Sequence, residues 1–154
     1  MLKRLAIAII LALLCAPALG GRAAAEIATF DQGSLNQLLR ESQGKVVMLN
    51  FFATWCPPCV KEVPDLVAMA KKHKDDLVIV GLTLDTGTLS KVEPFCARNG
   101  VKYPVYRPAR EIVMRFGFQS IPYNVFYDRQ GKMILAGSGM IDGETIEHVL
   151  RQVK

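Results

Sequence analysis

Val46-Val-Met-Leu-Asn-Phe-Phe-Ala-Thr-Trp-Cys-Pro-Pro-Cys59 is a nearly unbroken apolar run ending in two cysteines three residues apart. Val46 to Ala53 has the pattern of a strand buried on both faces. Beyond the cysteines, Val60 to Lys72 reads as a helix. Val60, Val63, Val67 and Ala70 recur at helical spacing, with Lys61, Asp65, Lys71 and Lys72 elsewhere. Pro64 falls inside it and predicts a kink, because its ring clashes with the Val60 carbonyl. A cysteine at a helix start meets unpaired N–H groups and the positive end of the helix dipole, both favouring thiolate. Cys56 stands there and is the expected nucleophile. Cys59, one turn further in and less exposed, is the expected resolving thiol. Sulfurs so placed pass electrons in pairs, one attacking a substrate disulfide and the other releasing the mixed disulfide. A purely structural disulfide is the alternative, but so small a loop constrains the unfolded chain least. Pro57 and Pro58 remove two N–H donors and stiffen the loop.

Leu77 to Thr83 reads as a second buried strand. Strand, helix and strand at this spacing demand a parallel crossover. Upstream, Glu26 to Phe30 suggests a short first strand. Ser34 to Glu41 suggests a helix with Ser34 as N-cap, ended by Gly44. Downstream, the spacing predicts a helix over Leu89 to Asn99 closed by Gly100, and a short strand over Tyr103 to Tyr106. A helix over Ala109 to Phe116 comes next, capped by Gly117. Tyr123 to Tyr127, the turn Asp128-Arg-Gln-Gly131 and Lys132 to Ala136 make a hairpin, and Asp142 to Val153 a last helix. No repeat, low-complexity tract or long linker divides the chain.

The N-terminus reads as an export signal: Lys3-Arg4, then the uncharged apolar stretch Leu5 to Leu14, then Ala23-Ala24-Ala25 before Glu26. Ten apolar residues fall short of the roughly 20 that a spanning helix needs, and Pro17 interrupts the stretch beyond them. Residues 1–25 are therefore expected to be a cleaved signal peptide, and residues 26–154 one domain. An uncleaved anchor is the alternative, and the only one that brings a membrane into contact. The large Leu14 before Cys15 argues against lipidation. Removing residues 1–25 takes three of the 19 basic residues and none of the 14 acidic ones, leaving 16 against 14 and a charge of +2. Nothing in that balance argues for nucleic acid. Of the four cysteines, Cys56, Cys59 and Cys96 remain, too few for a disulfide scaffold in an exported protein.

Asn50-Phe-Phe-Ala-Thr-Trp-Cys-Pro-Pro-Cys59, Glu62, Pro64, Ser120-Ile-Pro122 and Asp128-Arg-Gln-Gly-Lys132 together resemble the thioredoxin fold. More narrowly, the chain is similar to exported thiol–disulfide oxidoreductases of the TlpA, ResA and DsbE type. The resemblance covers residues 26–154. It implies an α/β fold with a central mixed sheet flanked by helices, and an inserted helix–strand segment before a cis-proline at Pro122. Beside the cysteine pair, Ile121 and Pro122 would then hydrogen-bond an extended substrate. It also implies periplasmic or otherwise extracytoplasmic work in a bacterium, with no cofactor and no metal ligand. Its partners would be protein disulfides, such as those of apocytochrome c, and an upstream membrane thiol reductase as electron donor. The family usually places threonine or another small residue after that proline; here Tyr123 and Asn124 stand instead.

Asn50 occupies the strand position where thioredoxins carry a buried, titrating aspartate. Glu62, three residues after Cys59, matches a functional acid of the ResA-like branch; half-buried, it would have a raised pKa and shuttle a proton. A solvated glutamate like its neighbour Lys61 is the alternative. Trp55 is expected to shield the sulfurs at the rim, with core filling as the rival. Cys96 reads as a buried small hydrophobe or a third reactive thiol, and His73 and His148 as solvated. Gly137-Ser-Gly139 lacks the spacing of a phosphate loop. Thr54 stands one residue too close for a peroxidatic Thr-x-x-Cys. Copper(I) binding by the cysteine pair, as a metallochaperone partner, is the second functional reading, because soft thiolates suit that ion.

Overall fold

The computed structural model describes residues 27–86 and 89–153. The expected signal segment, Cys15 and Glu26 lie outside the described residues. Among the described residues, twelve elements occur in order: β1 (Thr29–Phe30), α1 (Gln32–Glu41), β2 (Val46–Phe52), α2 (Pro57–Lys72), β3 (Leu77–Thr83), a 3-10 turn (Leu89–Lys91), α3 (Val92–Arg98), β4 (Val105–Pro108), α4 (Arg110–Phe116), β5 (Tyr123–Tyr127), β6 (Met133–Ser138) and α5 (Gly143–Gln152). The six strands form one mixed sheet in the order β1-β4-β3-β2-β5-β6. Its β1–β4, β4–β3 and β3–β2 pairs are parallel, and β2–β5 and β5–β6 antiparallel. This is the thioredoxin-like architecture that the motifs implied. The inserted segment is α3 with β4, and β4 wedges between β1 and β3.

Every residue of β2 is buried, as its apolar run requires when helices cover both faces. Side chains alternate along a strand, so Val47, Leu49 and Phe51 join one core with Leu35 of α1, Ile112 of α4 and Val125. Val46 and Met48 join the other with Leu66 of α2, Phe126, and Ile146 and Val149 of α5. Asn50 is in step with this second set and faces α2.

Several boundaries differ from the sequence reading, each for a local reason. Asp31 rather than Ser34 caps α1: its carboxylate accepts from Ser34 N at 2.7 Å, which leaves Ser34 as a donor inside the first turn. The buried face of α2 is Cys59, Glu62, Val63 and Leu66, whereas Val60, Val67 and Ala70 are only partly buried. The apolar periodicity fitted a face rotated slightly away, because it left the glutamate out. The same helix runs on through Pro64, which lies on its exposed side. The segment before β4 opens as a 3-10 turn, so the helix proper begins at Val92. β4 itself starts at Val105, where pairing with Gly81 sets its register. His73 is partly buried rather than fully solvated; its Nε2 lies 2.8 Å from Glu147 of α5, which Lys72 also contacts.

The ring of Phe51 is fully buried, 4.7 Å from Phe118, 5.5 Å from Phe116 and 6.0 Å from Tyr123 between centroids. That cluster clamps β2 to the segment leading into β5. Phe51→Ala is expected to lower unfolding stability by about 3–5 kcal/mol, read as the shift of a urea transition monitored by circular dichroism.

Candidate active site

β2 ends at Phe52, and the chain turns through Ala53 to Trp55, with Cys56 N donating to the Ala53 carbonyl at 3.2 Å. Cys56 is the N-cap of α2, and Pro57 and Pro58 fill the first two helical positions. Prolines are tolerated there because those N–H groups would be unpaired in any case. The first amide left in the helix is that of Cys59, and it donates to Cys56 Sγ at 3.3 Å. The motif thus aims one N–H and the helix dipole at one sulfur, the arrangement that lowers a thiol pKa. The two sulfurs are joined as a disulfide.

Cys59 is completely buried, and Cys56 is only 4% exposed. The helix start by itself suggests an open sulfur at position 56, but the tertiary fold covers it. The Ile121 carbonyl oxygen lies 3.7 Å from its Sγ, placed to accept a hydrogen bond from the reduced thiol. The Ile121–Pro122 peptide bond is cis. Trp55, by contrast, is 66% exposed. It fills no core and stands on the rim beside a cleft of about 630 Å³, whose wall includes Thr54, Asp85, Phe95 and Arg98.

One helical turn below Cys59, Glu62 is 1% exposed. The solvated reading of this residue is wrong, because position 62 of α2 faces the sheet. Its Oε1 accepts from Asn50 Nδ2 at 2.5 Å, and its Oε2 accepts from the backbone N–H of Ile141 at 3.1 Å. Asn124 Nδ2 adds a longer contact to Oε2 at 3.4 Å. Burial pushes the Glu62 carboxyl above its ordinary value; the donors from Ile141, Asn50 and Asn124 oppose that without cancelling it. No charged side chain is among these hydrogen-bond partners.

A second carboxylate braces the other flank. Asp85, just past β3, accepts from Thr54 N at 2.9 Å, Thr54 Oγ1 at 2.6 Å and Thr83 Oγ1 at 2.6 Å. Burial alone would raise its pKa, but the bonds from Thr54 and Thr83 outweigh it and hold Asp85 below the usual range. It anchors the residue two before Cys56 to the sheet.

A family model described as Redoxin matches residues 21–147. The chain belongs to the Redoxin family. Thiol-disulfide oxidoreductase ResA of Bacillus thuringiensis subsp. konkukian is 32% identical over 117 residues, covering 75% of this chain and 67% of that protein. A thiol:disulfide interchange protein of Chlorobium tepidum superposes with a TM-score of 0.64 at 25% identity, over 74% of this chain and 83% of its own. The pneumococcal exposed lipoprotein thioredoxin of Streptococcus pneumoniae does so with 0.58 at 28%, over 74% and 89%. Geometry and kinship agree on the chemistry: this Redoxin is a thioredoxin-like thiol–disulfide oxidoreductase.

The structure brings Cys56, Cys59, Pro57, Pro58, Trp55, Ile121 and Pro122 to one end of the sheet, with Glu62 beneath. Cys96 is half-buried and free of disulfide. Burial, reinforced by Glu93, pushes its thiol up, away from a reactive thiolate. Among the described residues, no third cysteine, histidine or carboxylate joins the pair in a metal-holding cluster. Asn124 and Asp85 escaped sequence reasoning. The only written sign of the first was the absence of the family's usual small residue after Pro122; nothing marked Asp85.

The raised Glu62 value has a consequence for stability. Its contribution is fully present below the ordinary carboxyl value of 4.5 and is lost as pH rises through the higher native value, because the native state holds the proton longer. Urea midpoints measured across that window should fall with pH in the natural protein and stay flatter in Glu62→Gln. Parallel curves would show that Glu62 is not the group responsible.

Proposed function

We propose that this protein works outside the bacterial cytoplasm, reducing disulfides of other proteins through Cys56 and Cys59. One observation carries the reading: a disulfide at a helix N-terminus, its outer sulfur facing an N–H donor, above a buried carboxyl group. In the reduced protein the Cys56 thiolate attacks one sulfur of a substrate disulfide. A Cys56–substrate bond forms, the substrate S–S bond breaks, and the departing thiolate takes a proton. Cys59 then loses its proton, attacks Cys56 Sγ and releases the second substrate thiol. The substrate gains two electrons and the protein returns to the Cys56–Cys59 disulfide.

Because Cys59 is wholly buried, its proton has no direct route to water. Glu62, one turn away, is the acceptor in this scheme, and Asn50 cannot titrate. Trp55, Pro57, Pro58, Ile121 and Pro122 form the rim at which an extended substrate segment docks. The export-like residues 1–25 support an extracytoplasmic setting, with apocytochrome c or other periplasmic disulfides as substrates and a membrane thiol reductase resupplying electrons. No helix among the described residues is long and apolar enough to cross a membrane.

Purified residues 26–154 should reduce insulin disulfides. Cys56→Ser should abolish turnover, and Cys59→Ser should accumulate a mixed disulfide visible on a non-reducing gel. Equilibration with glutathione should place the couple nearer about −270 mV than about −120 mV. A value at the oxidising end would reverse the direction of electron flow.

A further inference from the structure

Asn124 sits directly opposite Asn50 in the β2–β5 register, and both amides point at the face of the sheet that α2 covers. Their orientations are not free. The Gly139 carbonyl oxygen can only accept, and it lies 3.2 Å from Asn124 Nδ2, so the Asn124 amide must present its NH2 group there. Its Oδ1 is then turned towards Asn50, where it accepts from Nδ2 at 2.8 Å. Asn50 has two N–H bonds on that nitrogen. One goes to Asn124 Oδ1 and the other, by necessity, to Glu62 Oε1. Gly139 is itself pinned, since its N–H donates to the Pro122 carbonyl at 2.8 Å. The chain of constraint therefore runs from Pro122 through Gly139, Asn124 and Asn50 to the carboxyl group.

We propose that Asn124 is a positioning residue: by fixing which end of the Asn50 amide meets Glu62, it keeps N–H donors on that carboxyl group and lets it exist as an anion able to take the proton from Cys59. This rests on the assignment of Glu62 as the proton acceptor. Without Asn124 the Asn50 amide is free to turn over and present its oxygen to Glu62, a contact that suits only the protonated acid. Glu62 would then keep its proton to higher pH and fail as a base. The donors reach it from every side: Asn50 from β2, Asn124 from β5 and Ile141 N–H from the segment before α5. The groups nearby that can titrate are Cys59 on its own helix, only once the disulfide is reduced, and Tyr103 before β4, whose own phenol is pushed up chiefly by burial, with Cys96 and Glu62 adding to it. Neither offers a cation in place of the lost donors.

The test tracks the Glu62 carboxyl carbon by NMR during pH titration of the oxidised protein, in the natural sequence, Asn124→Val and Asn124→Thr. Valine and threonine are both β-branched and suit a strand, so at least one variant should fold. Asn124→Val is expected to raise the Glu62 midpoint by about one unit. The rise of insulin reduction with pH should move up by the same amount, about a tenfold lower rate within that window. An unchanged Glu62 midpoint in the folded variants overturns the proposal. If Glu62→Gln leaves the pH profile of reduction unaltered while Asn124→Val still moves the midpoint, the positioning stands and the proton-acceptor role falls.

Discussion

A carboxyl group taken out of water must either keep its proton or be surrounded by donors, and the middle of this molecule is arranged around that requirement. Among the described residues, Glu62 has no cation to pair with. Its anion is supported only by neutral N–H groups from two strands and one loop. These donors are fixed because β2 and β5 pair in a register that sets Asn50 against Asn124. A slip of β5 by one residue would turn Asn124 to the opposite face, away from Asn50 and the carboxyl group. The proton balance of the site is thus tied to strand pairing at the core of the sheet.

The disulfide is held from both sides by different physics. Towards the sheet, Asp85 is ionised and bonded to Thr54, a rigid charge-assisted tether that sets where the chain leaves β2. Towards the helix, the two prolines leave Cys59 N–H as the first donor, and it meets Cys56 Sγ. Both sulfurs lie in one apolar cluster with Phe52, Val63 and Phe95, but only the outer one meets an N–H donor among the described residues. That donor favours a thiolate at Cys56 over one at Cys59, a difference suited to sulfurs that must act in turn.

Much of this was legible in the residues themselves. The apolar run before Trp55, the helix after Cys59 and the hairpin after Pro122 carry their patterns openly, because burial on both faces and helical periodicity leave direct marks in composition. Capping was less legible: Asp31 and Ser34 are both good caps, and only the backbone angle at Asp31 decides between them. Trp55 and Glu62 were ambiguous for a related reason. A large apolar residue can lie at a rim, and a charged one can lie buried, when a neighbouring element takes or supplies the contact.

The order of residues by itself determined the chemistry on offer: two sulfurs one helical turn apart, prolines that strip the intervening donors, and a carboxyl group one turn beyond. These are local relations, fixed by the geometry of a single helix. Tertiary structure decided which side of that helix faces the sheet, that Ile121 closes over Cys56, and that Asn124, 74 positions away from Asn50, completes the cage around Glu62. Such contacts come from strand order and register, which depend on how whole faces pack and leave no short-range trace in the chain.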